Sequence, residues 1–440
     1  MKKHLLFYFI VASLFFSACG GGSSSSTASN DGNLPPNATS PSLPDSVRFL
    51  EQSSFGPTED SIAAVRQKGF EQFLNEQFSV KAQGYANLPN ALSPVAIVGE
   101  QPANCKYDGV EASAVSQCYR DNFSIFTMQT RFFQNALTQP DQLRQRVAWA
   151  LSQILVVSGK VIFQAQPMQA YQNILYDNAF GNYRDILYKV TLSPVMGSYL
   201  NMVNNSKPGG NQKPNENYAR ELLQLFSIGK VKLNLDGSPV IESGVPKPTY
   251  SQTEIEGFAY VFTGWTYPTL PGQQTKFYSP FYYVGDMAIV PKEHATTAKT
   301  LLNGVTLPAN QTPEKDLNDA IDNVFNHPNV GPFIGKLLIQ QLVTSNPSAE
   351  YVARVSTVFN NNGQGIRGDL KAVVRAILLD AEARGDSKTD VAYGHLKEPA
   401  LYLLNVLRAA GAKSDGAVLR YFLFIMDQDI FVPPSVFNYY

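Results

Sequence analysis

From residue 140 to residue 411 the apolar side chains return at helical spacing, and this limits the possible folds more than any other feature. Leu143, Val147, Leu151 and Ile154 fall on one face, after Pro140 and before Gly159. Ser251 and Glu254 make a capping-box pattern ahead of Ile255, Phe258 and Phe262. Pro313 opens a helix carrying Leu317, Ile321 and Val324, and Pro399 opens another with Leu401, Leu404 and Leu407, ending near Gly411. Between them lie three more apolar stripes: Phe333, Leu337 and Gln341; Val352, Val355 and Phe359; and Leu370, Val374, Ile377 and Leu378. The expectation is a mainly α protein, a large compact multi-helix domain. Small β-hairpin insertions are expected between residues 230 and 291. There Val231, Leu233 and Leu235 precede Asp236-Gly237, and residues 276–283 are aromatic and poor in helix formers.

Composition agrees with a packed interior. Hydrophobic residues make up 44% and charged residues 16%, too apolar for a disordered tail or a coiled coil. The formal net charge of −1 provides no broad field to draw the chain to nucleic acid.

The start of the chain reads as an address. Lys2 and Lys3 precede an apolar run from Leu5 to Phe16, then Ser17-Ala18-Cys19, the order of a secretory signal over residues 1–18. The run is shorter than the roughly 20 residues of a membrane span. Residues 19–44 are mostly Gly, Ser, Asn, Pro and Thr with almost no charge, a solvated stalk. The domain is then expected over residues 45–440. A small residue before Cys19 resembles the bacterial lipoprotein signal, which implies lipidation of Cys19 and a membrane partner. Gly20 after it implies the outer membrane by the same resemblance. Two acyl chains would make such an anchor stable. Cys105 and Cys118 remain as an even pair in an oxidising compartment, and a disulfide is expected of them. No metal-ligand spacing accompanies them, and nothing indicates a cofactor.

Familiar catalytic motifs are missing from the chain: no nucleophile elbow, P-loop, zinc-protease helix or dinucleotide fingerprint. His294, His327 and His395 are isolated in sequence and read as structural residues, His327 as a turn or cap before Pro328. The densest polar cluster is Asn215-Glu216-Asn217-Tyr218-Ala219-Arg220-Glu221. On a helix Glu216, Arg220 and Gln224 align, with Asn217 and Glu221 in the neighbouring row. Two readings stay open. The polar face is solvated and holds ordinary ion pairs, or it lines a cleft in which Glu216 or Glu221 serves as acid or base and Arg220 holds an anion. Five residues separate the two acids, so they do not share a face and do not make a glycosidase pair.

Candidate binding residues are Asn217, Arg146, Trp149 and Trp265. Arg146 and Trp149 sit at i, i+3 and could stack. Arg146 could also meet Glu216 or Glu221 across a helix interface, or hold an anionic ligand. Trp265 reads as a packing anchor or a sugar platform.

The segment from Asn215 to Leu223 resembles the signature of the bacterial family called domain of unknown function 1800. Further blocks resemble that family in order: residues 48–58, residues 146–158 around Trp149, Phe262-Thr263-Gly264-Trp265, His327-Pro328, residues 333–347 and Lys397-Glu398-Pro399. The resemblance implies an exported, largely helical protein without an agreed activity. It also implies a secreted partner resembling phosphatases and sulfatases, encoded nearby. Relatives tend to show His-Asp where this chain has His294-Ala295, which argues against a metal role for His294. They usually continue beyond the block at residues 433–440, so a longer natural chain is expected. The functional expectation is an envelope-anchored binding or assembly component at the cell surface, with a surface hydrolase using Glu216, Arg220 and Glu221 as the alternative.

Overall fold

A computed structural model describes residues 40–85, 112–385, 390–391 and 393–439. The signal sequence, Cys19, nearly all of the stalk and Cys105 lie outside the described residues. The fold is mainly helical with small two-stranded sheets. The first helices are α1 (Leu43–Ser53), α2 (Glu59–Ser79), α3 (Ala112–Phe123), α4 (Ile125–Thr138), α5 (Gln142–Ile154) and α6 (Ala165–Asp177). Then come α7 (Tyr183–Leu192), α8 (Pro194–Tyr199), α9 (Asn217–Gln224) and α10 (Gln252–Val261). The rest are α11 (Pro313–Phe325), α12 (Val330–Leu342), α13 (Ala349–Asn360), α14 (Leu370–Leu379), α15 (Ala381–Arg384), α16 (Pro399–Ala409) and α17 (Ala417–Ile425).

Local chemistry sets several of these boundaries. Ser251 and Glu254 close the expected capping box on α10. Thr312 caps α11 directly before Pro313, whose missing N–H costs nothing in a first turn. The helix α1 begins inside the expected stalk, because Ser42 accepts the Asp45 N–H and Pro44 fits the first turn. In α12 the buried stripe is Ile334, Leu338 and Leu342, while Phe333, Leu337 and Gln341 are half-buried. The expected face is therefore one residue out of phase. Val330, Gly331 and Pro332 are already buried and turn the helix that way.

Among the described residues two small sheets fall in the expected region and a third lies beyond it. Ile241–Glu242 (β1) pairs with Val245–Pro246 (β2), flanked by bridges from Leu233 to Pro239 and Val231 to Pro248. Residues 276–283 form no strand. Their aromatic rings pack instead, Phe281 and Tyr283 edge-on to Tyr267 at 5.2 and 5.4 Å. The pairing nearby is Trp265–Thr266 (β3) with Ala288–Ile289 (β4), the two sides of that aromatic excursion. Lys299–Thr300 (β5) pairs with Thr306–Leu307 (β6) and lies against α10. The Thr300 carbonyl leaves no room for a Cβ at Gly257.

The hub of the bundle is α5 and not α9, which has only eight residues. Helix α5 packs against α1, α2, α4, α6 and α12, and it is buried on every side. Its enclosure includes Arg144, Gln145 and Arg146. Arg144 stacks over Tyr176 and Phe180 and bonds the Tyr176 carbonyl at 3.3 Å, so its charge is accommodated by rings and a peptide oxygen. An early and a late segment of the described residues meet nearby. Arg408 of α16 donates to the carbonyls of Gly56 and Ala136, each at 2.8 Å. At the outer edge, α17 turns Val418, Tyr421, Phe424 and Ile425 into solvent.

Candidate functional site

The signature segment is built as a short amphipathic helix held at both ends. Asn215 accepts the Asn217 N–H at 2.9 Å, which starts α9 one residue after Glu216, so Glu216 is the cap position. Gly229 ends the turn with φ +70, where its N–H reaches the Leu223 carbonyl and the Phe333 ring leaves no space for a side chain. Tyr218, Ala219, Leu222 and Leu223 form the buried stripe. Tyr218 shares a hydrogen bond of 2.6 Å with Thr191 and meets Phe262 edge-on.

The polar face of α9 is largely taken up by neighbours. Glu216 accepts from Arg220 at 2.7 Å and from Gln252 of α10 at 2.8 Å. Asn217 donates to Asn201 at 2.9 Å. Asn205 clasps the main chain of Asn215, accepting its N–H at 2.7 Å and donating to its carbonyl at 3.1 Å. Glu221 differs. It is half-buried, and its Oε2 is enclosed without a hydrogen-bond partner. Burial lifts its pKa above the ordinary carboxylate value, against the pull of Arg220 and Lys230. Glu216 and Arg220 therefore come together, while Glu221 stands apart with Tyr199 and Tyr250 in its field.

The binding candidates lie elsewhere. Arg146 donates to the Gln341 carbonyl at the end of α12. The cations acting on Glu221 are Arg220 and Lys230. Trp149 donates its indole N–H to Glu398 at 3.1 Å and packs on Phe132 and Phe431. With Gln153, Gln172, Glu398 and Asp429 it lines a cavity of about 20 Å³, room for one water. Asp429 is raised by burial there, although Gln129 bonds it at 2.8 Å. Phe431 closes the cavity with φ +61, an uncommon conformation for a bulky side chain. Trp265 is 4% exposed, in the core on β3, where it pairs with Ile289 of β4. That burial is what a packing anchor needs, and it leaves no open ring face for a sugar.

The histidines carry a network that isolated sequence positions did not suggest. Asp316 is fully buried and accepts from His294 at 2.9 Å, Lys299 at 2.6 Å and Gln311 at 2.7 Å. His327 is also buried, and its Nδ1 accepts the Asn329 N–H at 3.1 Å, the expected turn role. Burial, then Lys232 and Arg367, hold it down to about 4. Among the described residues no three His, Cys, Asp or Glu side chains gather as a metal site requires. Nor is any helix there long and apolar enough to cross a membrane.

No curated protein and no solved structure matches the chain. The model of the family described as protein of unknown function (DUF1800) matches residues 48–440, nearly everything beyond the stalk, and the chain belongs to that family.

Proposed function

We propose that this chain is an envelope-tethered binding or assembly component. The observation that carries this reading is the outward face of α17. Val418, Tyr421, Phe424 and Ile425 are each more than half exposed on one nine-residue helix, with Phe422 and Met426 beside them. Monomeric proteins seldom leave such a contiguous apolar surface in water, and aromatic side chains are enriched where partners dock. The occupancy of the α9 face supports the same reading, since Glu216 is bonded by Arg220 and by Gln252 of α10, and Asn217 donates to Asn201.

The address completes the proposal. Cleavage before Cys19, acylation of that cysteine and a stalk to residue 42 would hold the domain at the outer membrane, with Cys105 and Cys118 bridged. The partner expected from the family resemblance is a secreted phosphatase- or sulfatase-like protein. A photoreactive residue at position 424, in cells carrying the full chain, tests the docking face against a control at Tyr278, which is exposed elsewhere. A single discrete adduct at position 424, lost when Tyr421→Glu is added, is the expected outcome. The same adducts at both positions would overturn the reading.

One observation favours the alternative, a hydrolase. Glu221 has an enclosed oxygen without a donor and a raised pKa, the state of a general acid or base. Its replacement separates the two readings, as set out in the Discussion.

A further inference from the structure

Residues 427–439 follow α17 without forming a helix, and their regular structure is one isolated bridge between Ser435 and Asn438. They lie across α4 and the end of α5. Gln129 of α4 donates to Asp429 Oδ1 at 2.8 Å and to the Ile430 carbonyl at 2.9 Å. At the end of α5, Asn438 donates to the Gln153 side chain at 2.8 Å, and Ser158 donates to the Pro433 carbonyl at 2.7 Å. The Gly159 N–H reaches the Phe431 carbonyl at 2.7 Å. Of these bonds only the last joins main chain to main chain. Phe431 is pressed edge-on into a box of Tyr85, Phe132 and Trp149, with ring centroids at 6.0, 5.8 and 6.0 Å. It covers the small cavity that Trp149 lines.

This closed arrangement is held against three costs, all where residues 429–431 meet α4. Phe431 keeps φ +61, a conformation that strains a bulky side chain. Asp429 is desolvated, which lifts its pKa although Gln129 bonds it. Gln129 is fully buried, and its Oε1 has no donor. Lifting residues 427–439 relieves all three, because Phe431 regains its backbone freedom and both polar groups reach water. The bonds given up are mostly side-chain bonds, which water replaces at little net cost. Segments with this balance open locally, well below the cost of unfolding the whole domain. The segment also continues directly from α17, whose end leaves Met426 and Asp427 exposed.

We infer that residues 427–439 are a strap that lifts from α4 and α5 as one unit while the rest of the domain stays folded, uncovering Trp149 and the cavity it lines. Hydrogen exchange on the full chain, read by mass spectrometry of overlapping peptides, tests this through Gly159, an amide of the scaffold whose acceptor belongs to the strap. Gly159, Val432 and Asn438 should open together, with about a hundredfold less protection than the interior of α5. Asn438→Ala removes the bond to Gln153 and should lower the protection of Gly159 and Val432 about tenfold, with α12 unchanged. Ser152→Cys places a thiol in the cavity, and its alkylation should speed up by the same factor when Asn438→Ala is added. Gly159→Ala tests the contact with the strap sequence intact. A Cβ there stands 3.1 Å from the Phe431 carbonyl, 3.3 Å from Val432 Cγ2 and 3.0 Å from Ile125, so Val432 and Asn438 should lose protection together. Protection that falls smoothly towards residue 439 is end fraying and would overturn the strap. So would strap amides that exchange only when α5 does, or an Asn438→Ala variant in which Val432 loosens and Gly159 does not. No partner enters these measurements, so docking on α17 stands or falls separately.

Discussion

Replacing Asp316 by Asn should be among the most destabilising single changes available in this fold. Asp316 has no exposure, and three donors converge on it from His294, Lys299 and Gln311. Lys299 is buried with it and spends its other two protons on the carbonyls of Ala295 and Thr297, at 2.7 and 3.0 Å. His294 faces the Thr263 carbonyl at 2.9 Å through its other nitrogen. An amide offers one oxygen where the carboxylate offers two, and it brings a donor into a ring of donors. It also leaves the Lys299 ammonium without a counter-charge. Breaking a buried pair in this way costs about 3–5 kcal/mol. Urea unfolding followed by circular dichroism would read this as a lower midpoint at unchanged slope. Burial alone would raise the Asp316 pKa, but the bonds from His294, Lys299 and Gln311 outweigh it and hold the group below its ordinary value. A carboxylate lowered in the folded state adds stability above its unfolded pKa, and that stability is lost as pH falls through the folded value. The acid limb of the wild-type stability curve should therefore flatten in Asp316→Asn. Lys299→Met added to it should restore part of the loss. A penalty under about 1 kcal/mol, or an unaltered acid limb, would refute the reasoning.

Three further outcomes follow from the same physical arguments. Glu221→Gln should be neutral or slightly stabilising near pH 7, because a raised acid favours folding at low pH and loses that contribution as pH rises through its folded pKa. Thermal unfolding at several pH values checks this, and loss of a measured hydrolytic turnover with stability intact would instead establish Glu221 as catalytic. Cys19→Ala should move the protein from the detergent phase to the soluble periplasmic fraction, and no movement would remove the lipid anchor from the account. Reduction should lower stability by about 3 kcal/mol if Cys105 and Cys118 are bridged across their short loop, and two free thiols by mass spectrometry would dismiss the bridge.

How much of this could be read from the chain depends on the distance over which each feature is encoded. The starts of α10 and α11 are written locally: the capping box of Ser251 with Glu254 forms as expected, and α11 opens at Pro313 as expected. The aromatic stretch at 276–283 reads as strand because β-propensity registers bulky rings, yet Phe281 and Tyr283 pack against Tyr267 and the main chain joins no strand. The face of α12 slipped by one residue because Gly331 and Pro332 gave no apolar signal although both are buried. The polar run at 215–221 drew attention, but sequence could not tell whether its carboxylates meet a ligand or their own neighbours. That depended on Gln252, 36 residues on from Glu216. The convergence of His294, Lys299 and Asp316 was hidden for the same reason. Each joins residues whose separation carries no local pattern.

If the segment from Asn215 to Leu223 locks the fold and leaves docking to other surfaces, Asn205 tests it most directly. It is 7% exposed and holds the main chain of Asn215 by two hydrogen bonds, without touching the α9 acids. Hydrogen exchange on Asn205→Ala should show faster exchange across α9 and the start of α10, with a global cost of about 1–3 kcal/mol. Unchanged protection of α9 in that variant would contradict the claim.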